Sequence, residues 1–297
     1  MDRLSCDRMF VTVVELGSFS AAAARLGTSS GQASKLVARL EERLGVQLLV
    51  RSTRALALTE AGRDYHARIR PILDSLDELD ASLKSTAATP HGRIRLSVPV
   101  TFGTLVLAPV LAQFAGRYPG IELDVVFSDR LVGLIDGNFD LALRIAAPRD
   151  STLVARKLCP IDIVTVAAPG YLADHPAPGT PAELAGHACI LDSNFPEPRR
   201  WSFAGGETVS VSGRLCFSNA EAAIAAARAG LGIARSPAFV AAEALRAGEL
   251  VKLLAAREPE PPPLSAVYPA SRHLPARVRL LIDHLAAHFR QGPLRGG

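Results

Sequence analysis

Three glycines punctuate the start of the chain: Gly17, Gly27 and Gly45. Glycine readily takes the left-handed backbone conformation that ends a helix, and Gly17 is placed to do so after Phe10, Val13 and Val14, which recur at helical spacing. Ser18 or Ser20 can cap a second helix running through Ala21–Ala24 to Leu26. Gly27-Thr28-Ser29 is a short break with a fresh cap at its end, and the next helix puts Ala33, Leu36, Val37, Leu40 and Leu44 on one face. Two helices joined by a turn of about three or four residues containing glycine predict a helix-turn-helix. After Gly45 two short apolar runs, 46–50 and 56–58, flank the basic tip Arg51-Ser52-Thr53-Arg54, which predicts a β-hairpin wing.

Burying the Ala33/Leu36/Val37/Leu40 face leaves Ser30, Gln32, Ser34, Lys35 and Arg39 pointing outward. Gln and Lys reach base edges, while hydroxyls at a helix N-terminus suit phosphate. Residues 1–59 carry eight Lys/Arg against five Asp/Glu, a net +3. That charge alone also fits a small helical interaction domain with a solvated face; the basic wing favours DNA.

Residues 60–86 place Ile69, Ile72, Leu73, Leu76, Leu79 and Leu83 at steps of three and four among acids. A narrow apolar stripe on a long helix seeks a second helix, so pairing with another chain is expected. Pro71 is expected as a kink or a break, and 85–92 reads as a hinge.

From residue 93 strands alternate with helices, which means an α/β domain. Strands are predicted at 94–98, 121–127, 140–145 and 161–168, and a helix-strand unit at 181–191. Val209, Val211 and Leu215 suit a hairpin, 219–229 is helical, and Val278, Leu281, Ile282, Leu285 and Phe289 mark a closing helix.

The 297 residues are 48% hydrophobic and 21% charged with net charge +4, enough to bury a sizeable core and mildly basic overall. Aromatics at 5% argue against a stacking platform for single strands. No uninterrupted apolar run suggests a membrane span, and the charged residues 1–8 do not read as a signal peptide, so a cytoplasmic protein without a membrane partner is expected. Cys6, Cys159, Cys189 and Cys216 form no CxxC pair or Cys/His cluster, so neither disulfides nor zinc are expected; Cys189 and Cys216 are read as buried structural thiols, with a redox switch as the alternative.

The N-terminal blocks resemble the LysR-type transcriptional regulators. The matching text is Phe10, then Gly17-Ser18-Phe19-Ser20-Ala21-Ala22-Ala23, then Ala33-Ser34-Lys35 and Leu40-Glu41-Glu42-Arg43-Leu44-Gly45. It closes with Leu48-Leu49-Val50-Arg51-Ser52-Thr53-Arg54 and Leu58-Thr59-Glu60-Ala61-Gly62, and continues less tightly to the C-terminus. The resemblance implies an α/β protein with an N-terminal winged helix-turn-helix, a long linker helix and a two-lobed effector domain like periplasmic binding proteins. The corresponding boundaries are a DNA-binding domain at 1–59 and a linker and dimerisation helix with hinge at 60–92. The regulatory domain follows at 93–297, with lobe I about 93–160 and 268–297 and lobe II about 161–267. The family's usual Gln-Pro is here Ser30-Gly31, which makes Gln32 an alternative base reader, and Lys35 stands where Arg is commoner. The DNA-binding candidates are Ser18, Ser29, Ser30, Gln32, Ser34, Lys35, Arg39, Arg51, Thr53 and Arg54. Arg51 and Arg54 are expected on the backbone or in a minor groove.

Open α/β sheets bind ligands at the carboxyl ends of their strands. Pro99 to Gly103, Ser128 to Arg130 and Ser218-Asn219 all follow strands or open helices. Together with the resemblance they give Val100, Thr101, Phe102, Ser128, Asp129, Arg144 and Asn219 as effector-binding candidates, each of the polar ones also readable as a helix cap. A small anionic or aromatic acid is the expected effector, and a homodimer through the linker helix, assembling to a homotetramer, the expected assembly. Double-stranded DNA is the expected macromolecular partner.

Other motifs fail. The segment from Asp136 lacks the sixth-position glycine and twelfth-position glutamate of a calcium loop. Gly230-Leu231-Gly232 lacks the third glycine of a dinucleotide fingerprint, and His284 and His288 lack a third metal ligand and read as surface residues. No nucleophile–base pair, metal set or cofactor motif points to an enzyme. The rival from another class is a cytosolic solute-binding sensor without sequence-specific DNA binding.

Overall fold

The computed structural model describes residues 2–51, 56–84, 90–130, 139–145, 153–270, 274–290 and 292. The chain divides into two compact units, one built on residues 1–90 and the other on residues from 91 onward.

The first unit contains α1 (Arg3–Leu16), α2 (Phe19–Arg25), α3 (Ser30–Leu44), β1 (Leu49–Arg51), β2 (Leu56–Leu58) and α4 (Glu60–Lys84). Its boundaries follow from local chemistry. Gly17 and Gly45 adopt left-handed conformations at the ends of α1 and α3, with φ of 62° and 70°. The Ser18 and Ser29 hydroxyls accept from the amides of Ala21 and Gln32, capping α2 and α3. Phe10, Val13, Ala22, Ala33, Val37, Leu40 and Leu48 fill the core between these elements. Each large side chain so buried contributes about 1.5–3 kcal/mol.

The hairpin is held on both sides. Glu41 accepts from the amides of Leu48 and Leu49 at 2.8 and 3.0 Å, tying β1 to α3. The Thr59 hydroxyl donates to the Gln47 carbonyl and accepts from the Gly62 amide, capping α4. A Cβ at Gly62 would stand 2.0 Å from the Leu48 carbonyl oxygen, so this approach of helix to hairpin requires glycine.

Helix α4 runs uninterrupted through position 71, where a kink or break was the expectation. Ile69 and Leu73 are buried in the core of the first unit, whereas Ile72 is 54% exposed. Arg70 pairs with Glu15 at 3.3 Å, Arg8 pairs with Asp77, and Tyr65 donates to the buried Asp7 at 2.7 Å. These bonds clamp α4 along α1.

The second unit opens with β3 (Gly92–Val98), α5 (Val100–Phe102), a π turn (Gly103–Leu107) and α6 (Ala108–Arg117). There follow β4 (Ile121–Phe127), β5 (Leu141–Ile145), β6 (Leu153–Pro160), β7 (Ile163–Ala167), α7 (Pro169–Asp174) and β8 (Ala188–Asp192). Next come β9 (Arg200–Ser202), β10 (Thr208–Ser210), β11 (Ser212–Phe217), α8 (Ala220–Arg228), β12 (Ile233–Pro237) and α9 (Ala238–Arg246). The unit ends with β13 (Val251–Leu253), β14 (Pro263–Pro269) and α10 (Ala276–Arg290).

Its strands form two five-stranded mixed sheets, in the orders β4-β3-β5-β14-β6 and β11-β8-β12-β7-β13. They define lobes I and II. The chain crosses at 161–162 and returns over 254–262, and the two crossings touch where the Ile161 amide donates to the Pro262 carbonyl. Lobe I regains the chain at Pro263, a few residues before the expected 268, because β14 pairs with both β5 and β6.

Several expectations are corrected. Val209 pairs with Trp201 in an antiparallel hairpin of β9 and β10, while Leu215 pairs with Ile190 in the lobe II sheet, so 209–215 is not itself a hairpin. Alternation there announces strands without naming their partners. Cys189 is buried, with its thiol pushed up to about 12, but Cys216 is exposed. His284 and His288 are half-buried, with His284 against Phe114 and the Val110 carbonyl. The helical run Val100–Arg117 is long and apolar enough to cross a membrane. Phe102, Leu107, Val110 and Phe114 are instead buried within the second unit, as in a core helix.

Candidate nucleic-acid interface and effector cleft

The first candidate site is α3 with its approaches. Ser29, Ser30, Lys35 and Arg39 are exposed, and Gln32 and Ser34 are half-buried. Ser18 and Ser29 are both engaged as caps, each satisfying one N-terminal amide of its helix. Arg51 ends β1, and Thr53 and Arg54 lie outside the described residues. The turn of 26–29 between α2 and α3 and the paired strands of the hairpin give a winged helix-turn-helix.

The second lies between the lobes. The carboxyl ends of β3, β4, β8 and β11 lead into Thr101, Ser128-Asp129, Asp192 and Asn219. A cavity of about 380 Å³ opens there, within the range of small-molecule sites. Thr101, Phe102, Ser128, Asp129 and Arg144 line it, as do Ile163, Asp192, Phe195, Phe239 and Val240.

Two of the predicted residues do not line the cavity but hold its edges. Val100 donates its amide to Asp129 at 3.0 Å. Asn219 caps α8 by accepting from the Ala222 amide and, through its nitrogen, donates to the Thr101 hydroxyl of the other lobe at 3.2 Å.

The electrostatics of the cleft are mixed. Arg144 donates to the Leu143 carbonyl at 2.8 Å and to the Ser97 hydroxyl at 2.9 Å. Burial lowers the pKa of its guanidinium, and the neighbouring Asp129 charge opposes that shift. Asp192 was not singled out in the sequence. It is 5% exposed and accepts from the Asn194 amide. Burial raises its pKa, the Asn194 bond works against this, and the Asp129 charge adds to it. Phe195 and Phe239 were likewise missed, because nothing local marks an aromatic in a loop or helix as cleft-facing. Among the described residues no group of three or more His, Cys, Asp or Glu is arranged to hold a metal.

Residues 8–63 match the model of the bacterial regulatory helix-turn-helix protein, lysR family, and residues 87–290 match the LysR substrate binding domain. The chain belongs to the LysR family of transcriptional regulators. An HTH-type transcriptional repressor of Pseudomonas aeruginosa is 36% identical over 99% of this chain and 94% of its own length. The transcriptional activator AaeR of Escherichia coli is 33% identical, covering 97% of this chain and 94% of its own. The solved structure of CrgA, a LysR-type regulator from Neisseria meningitidis, superposes with a TM-score of 0.61 at 34% identity, over 97% of this chain and 98% of that one. As a LysR-type regulator the chain is a DNA-binding protein with a substrate-binding domain, and the family consists of regulators rather than enzymes.

Proposed function

We propose that this LysR-type regulator binds double-stranded DNA in the cytoplasm as a homodimer joined through α4, assembling to a homotetramer, and that an effector in the cleft between its lobes modulates promoter binding or DNA bending. The observation that carries the reading is the polar, exposed face of α3. Ser30, Lys35 and Arg39 are exposed there, opposite a fully buried Ala33/Val37/Leu40 face. That geometry suits insertion into a major groove. In this reading Gln32 and Lys35 reach base edges. Ser18, Ser29, Ser30, Ser34 and Arg39 contact phosphates, and Arg51, Thr53 and Arg54 of the wing meet the flanking backbone or minor groove.

The exposed Ile72 beside the buried Ile69 and Leu73 supports pairing of α4 with a second copy. The cavity at the strand ends, with Thr101 and Asn219 joined across it, supports the effector reading. A ligand that binds the closed arrangement more tightly than the open one shifts the balance between them, and with it the promoter complex.

The test is a footprint of the full chain on DNA upstream of its own reading frame. Two protected half-sites spaced by about one helical turn or a multiple of it are expected. Protection should be lost with Lys35→Ala and Gln32→Ala, and protection unchanged in both variants would overturn the assignment of α3.

A further inference from the structure

We propose that the interlobe cleft is built for a ligand carrying a protonated primary amine, held between Asp129 and Asp192, with an apolar body against Phe102, Phe195 and Phe239. This rests on the reading of the cleft as the effector site and gives that effector its chemical class.

Among the described residues, the ionisable side chains lining the cavity are Asp129, Arg144 and Asp192. Two carboxylates therefore face one guanidinium. The hydrogens of that guanidinium are largely spoken for: Nη1 serves the Leu143 and Ser97 carbonyls, and Nη2 serves the Ser97 hydroxyl and the Arg130 carbonyl. An incoming carboxylate would meet two like charges and an arginine already engaged with the protein's own oxygens. This weighs against the anionic effector expected from the sequence.

The acids are in the opposite condition. Asp129 uses one oxygen to accept from the Val100 amide, and Asp192 uses one to accept from the Asn194 amide. Among the described residues neither second oxygen has a donor. Asp192 is 95% removed from solvent while lining the cavity, so its open oxygen sits where a donor from a ligand is the natural partner. An ammonium offers three donors and a positive charge, which suits two half-satisfied carboxylates and forms charge-assisted hydrogen bonds. The remaining lining is aromatic and aliphatic, with Phe102, Ile163, Phe195, Phe239 and Val240, and asks for an apolar body behind the amine.

The two acids belong to different lobes. Asp129 follows β4 in lobe I, and Asp192 closes β8 in lobe II. Bringing the lobes together concentrates negative charge, and a cation between them removes the repulsion. The ligand's charge is then what favours closure.

The experiment titrates the full chain by calorimetry and thermal shift with primary amines (ethylamine, putrescine, 2-phenylethylamine, tyramine), the matched acids (acetate, succinate, phenylacetate, 4-hydroxyphenylacetate) and 2-phenylethanol. Calcium chloride forms a separate arm. At least one amine should bind about tenfold or more tightly than its acid and alcohol counterparts, and Asp192→Asn and Asp129→Asn should each abolish that preference. Asparagine keeps the shape and the acceptor of both positions, so the variants test charge rather than folding. An acid that outbinds its amine, or no amine in the series binding better than its acid, overturns the amine assignment. If that acid's affinity falls with Arg144→Gln, the effector reading of the cleft survives. Amine binding that both Asp variants leave intact places the ligand elsewhere and overturns both readings. Calcium binding that excludes the amines overturns the amine in favour of a metal ion.

Discussion

The side-chain nitrogen of Asn219 donates to the hydroxyl of Thr101 at 3.2 Å, joining the N-terminus of α8 in lobe II to α5 in lobe I. The same asparagine caps α8 through its oxygen. One residue therefore both ends a strand connection and closes the cleft, so its two roles can be separated by substitution. Thr101→Val removes only the bridge and should cost about 0.5–1.5 kcal/mol of stability. Asn219→Ala removes the cap as well, which alone costs about 0.5–2 kcal/mol, and should be the more destabilising change. The double variant should be no less stable than Asn219→Ala alone, because the bridge can be lost only once. Urea denaturation of the three variants checks this, and additive losses would show that the two side chains do not act together.

Gly62 gives a sharper expectation. With the Leu48 carbonyl oxygen 2.0 Å from any added Cβ, Gly62→Ala must push α4 and the hairpin apart. Overpacking of this kind costs about 1–3 kcal/mol, and the obstacle here is backbone rather than a side chain that could swing away. DNA affinity should fall together with the melting temperature of the first unit. A variant that melts and binds like the wild type would contradict the close approach.

Glu258 anchors the returning crossover to lobe II. It accepts from Thr165 at 2.6 Å and from Arg235 at 2.8 Å, and the Arg235 guanidinium lies 4.8 Å from the centre of the Phe203 ring. The Arg235 and Glu258 side chains are only 8% and 13% exposed. Removing one member of a buried pair leaves the other charge stranded, at a cost of about 3–5 kcal/mol. Glu258→Ala should therefore lower the melting temperature strongly. Glu258→Gln, which keeps an acceptor, should lower it less. Equal effects would mean that the charge of Glu258 is immaterial.

Asp192 carries a pH dependence whose sign follows from its environment. Burial raises its folded pKa above the unfolded value, with Asp129 adding to the shift and Arg144 the cation nearby. Between those two values the folded state binds more protons, so stability falls as pH rises through that window and stays lower above it. In the ligand-free protein Asp192→Asn should accordingly raise the melting temperature at neutral pH. It should also flatten the acid side of the stability profile. A lower melting temperature at pH 7 would show that the carboxylate is held by favourable partners instead.

Much of the first unit was legible because its signals are local. Gly17, Ser18, Ser29 and the face of Ala33, Leu36, Val37 and Leu40 depend on neighbours a few residues away, and the structure realises each of them. The second unit was legible in its rhythm but not in its pairings. Val209 and Leu215 alternate as strand residues do, yet their partners Trp201 and Ile190 lie in different sheets, a choice made by long-range packing. β14 escaped notice because it sits among prolines, and its place beside β5 and β6 fixes where lobe I resumes. Asp192 could not be read as a cleft residue: its importance comes from facing Asp129 across two lobes, 63 positions away in the chain. The sequence did mark Arg144, but its hydrogen bond to the Ser97 hydroxyl, 47 positions away, is a tertiary fact that the sequence does not carry.

The most direct measurement is the affinity of the full chain for its own upstream DNA as a function of salt, by fluorescence anisotropy, for the wild type, Lys35→Ala and Arg39→Ala. Binding should weaken steeply, with a log–log slope of about 0.9 per phosphate neutralised. Arg39→Ala should reduce that slope by about one per protomer, and Lys35→Ala should relax discrimination between cognate and unrelated sequence. Salt-independent binding, or slopes and discrimination identical in all three proteins, would contradict recognition through α3.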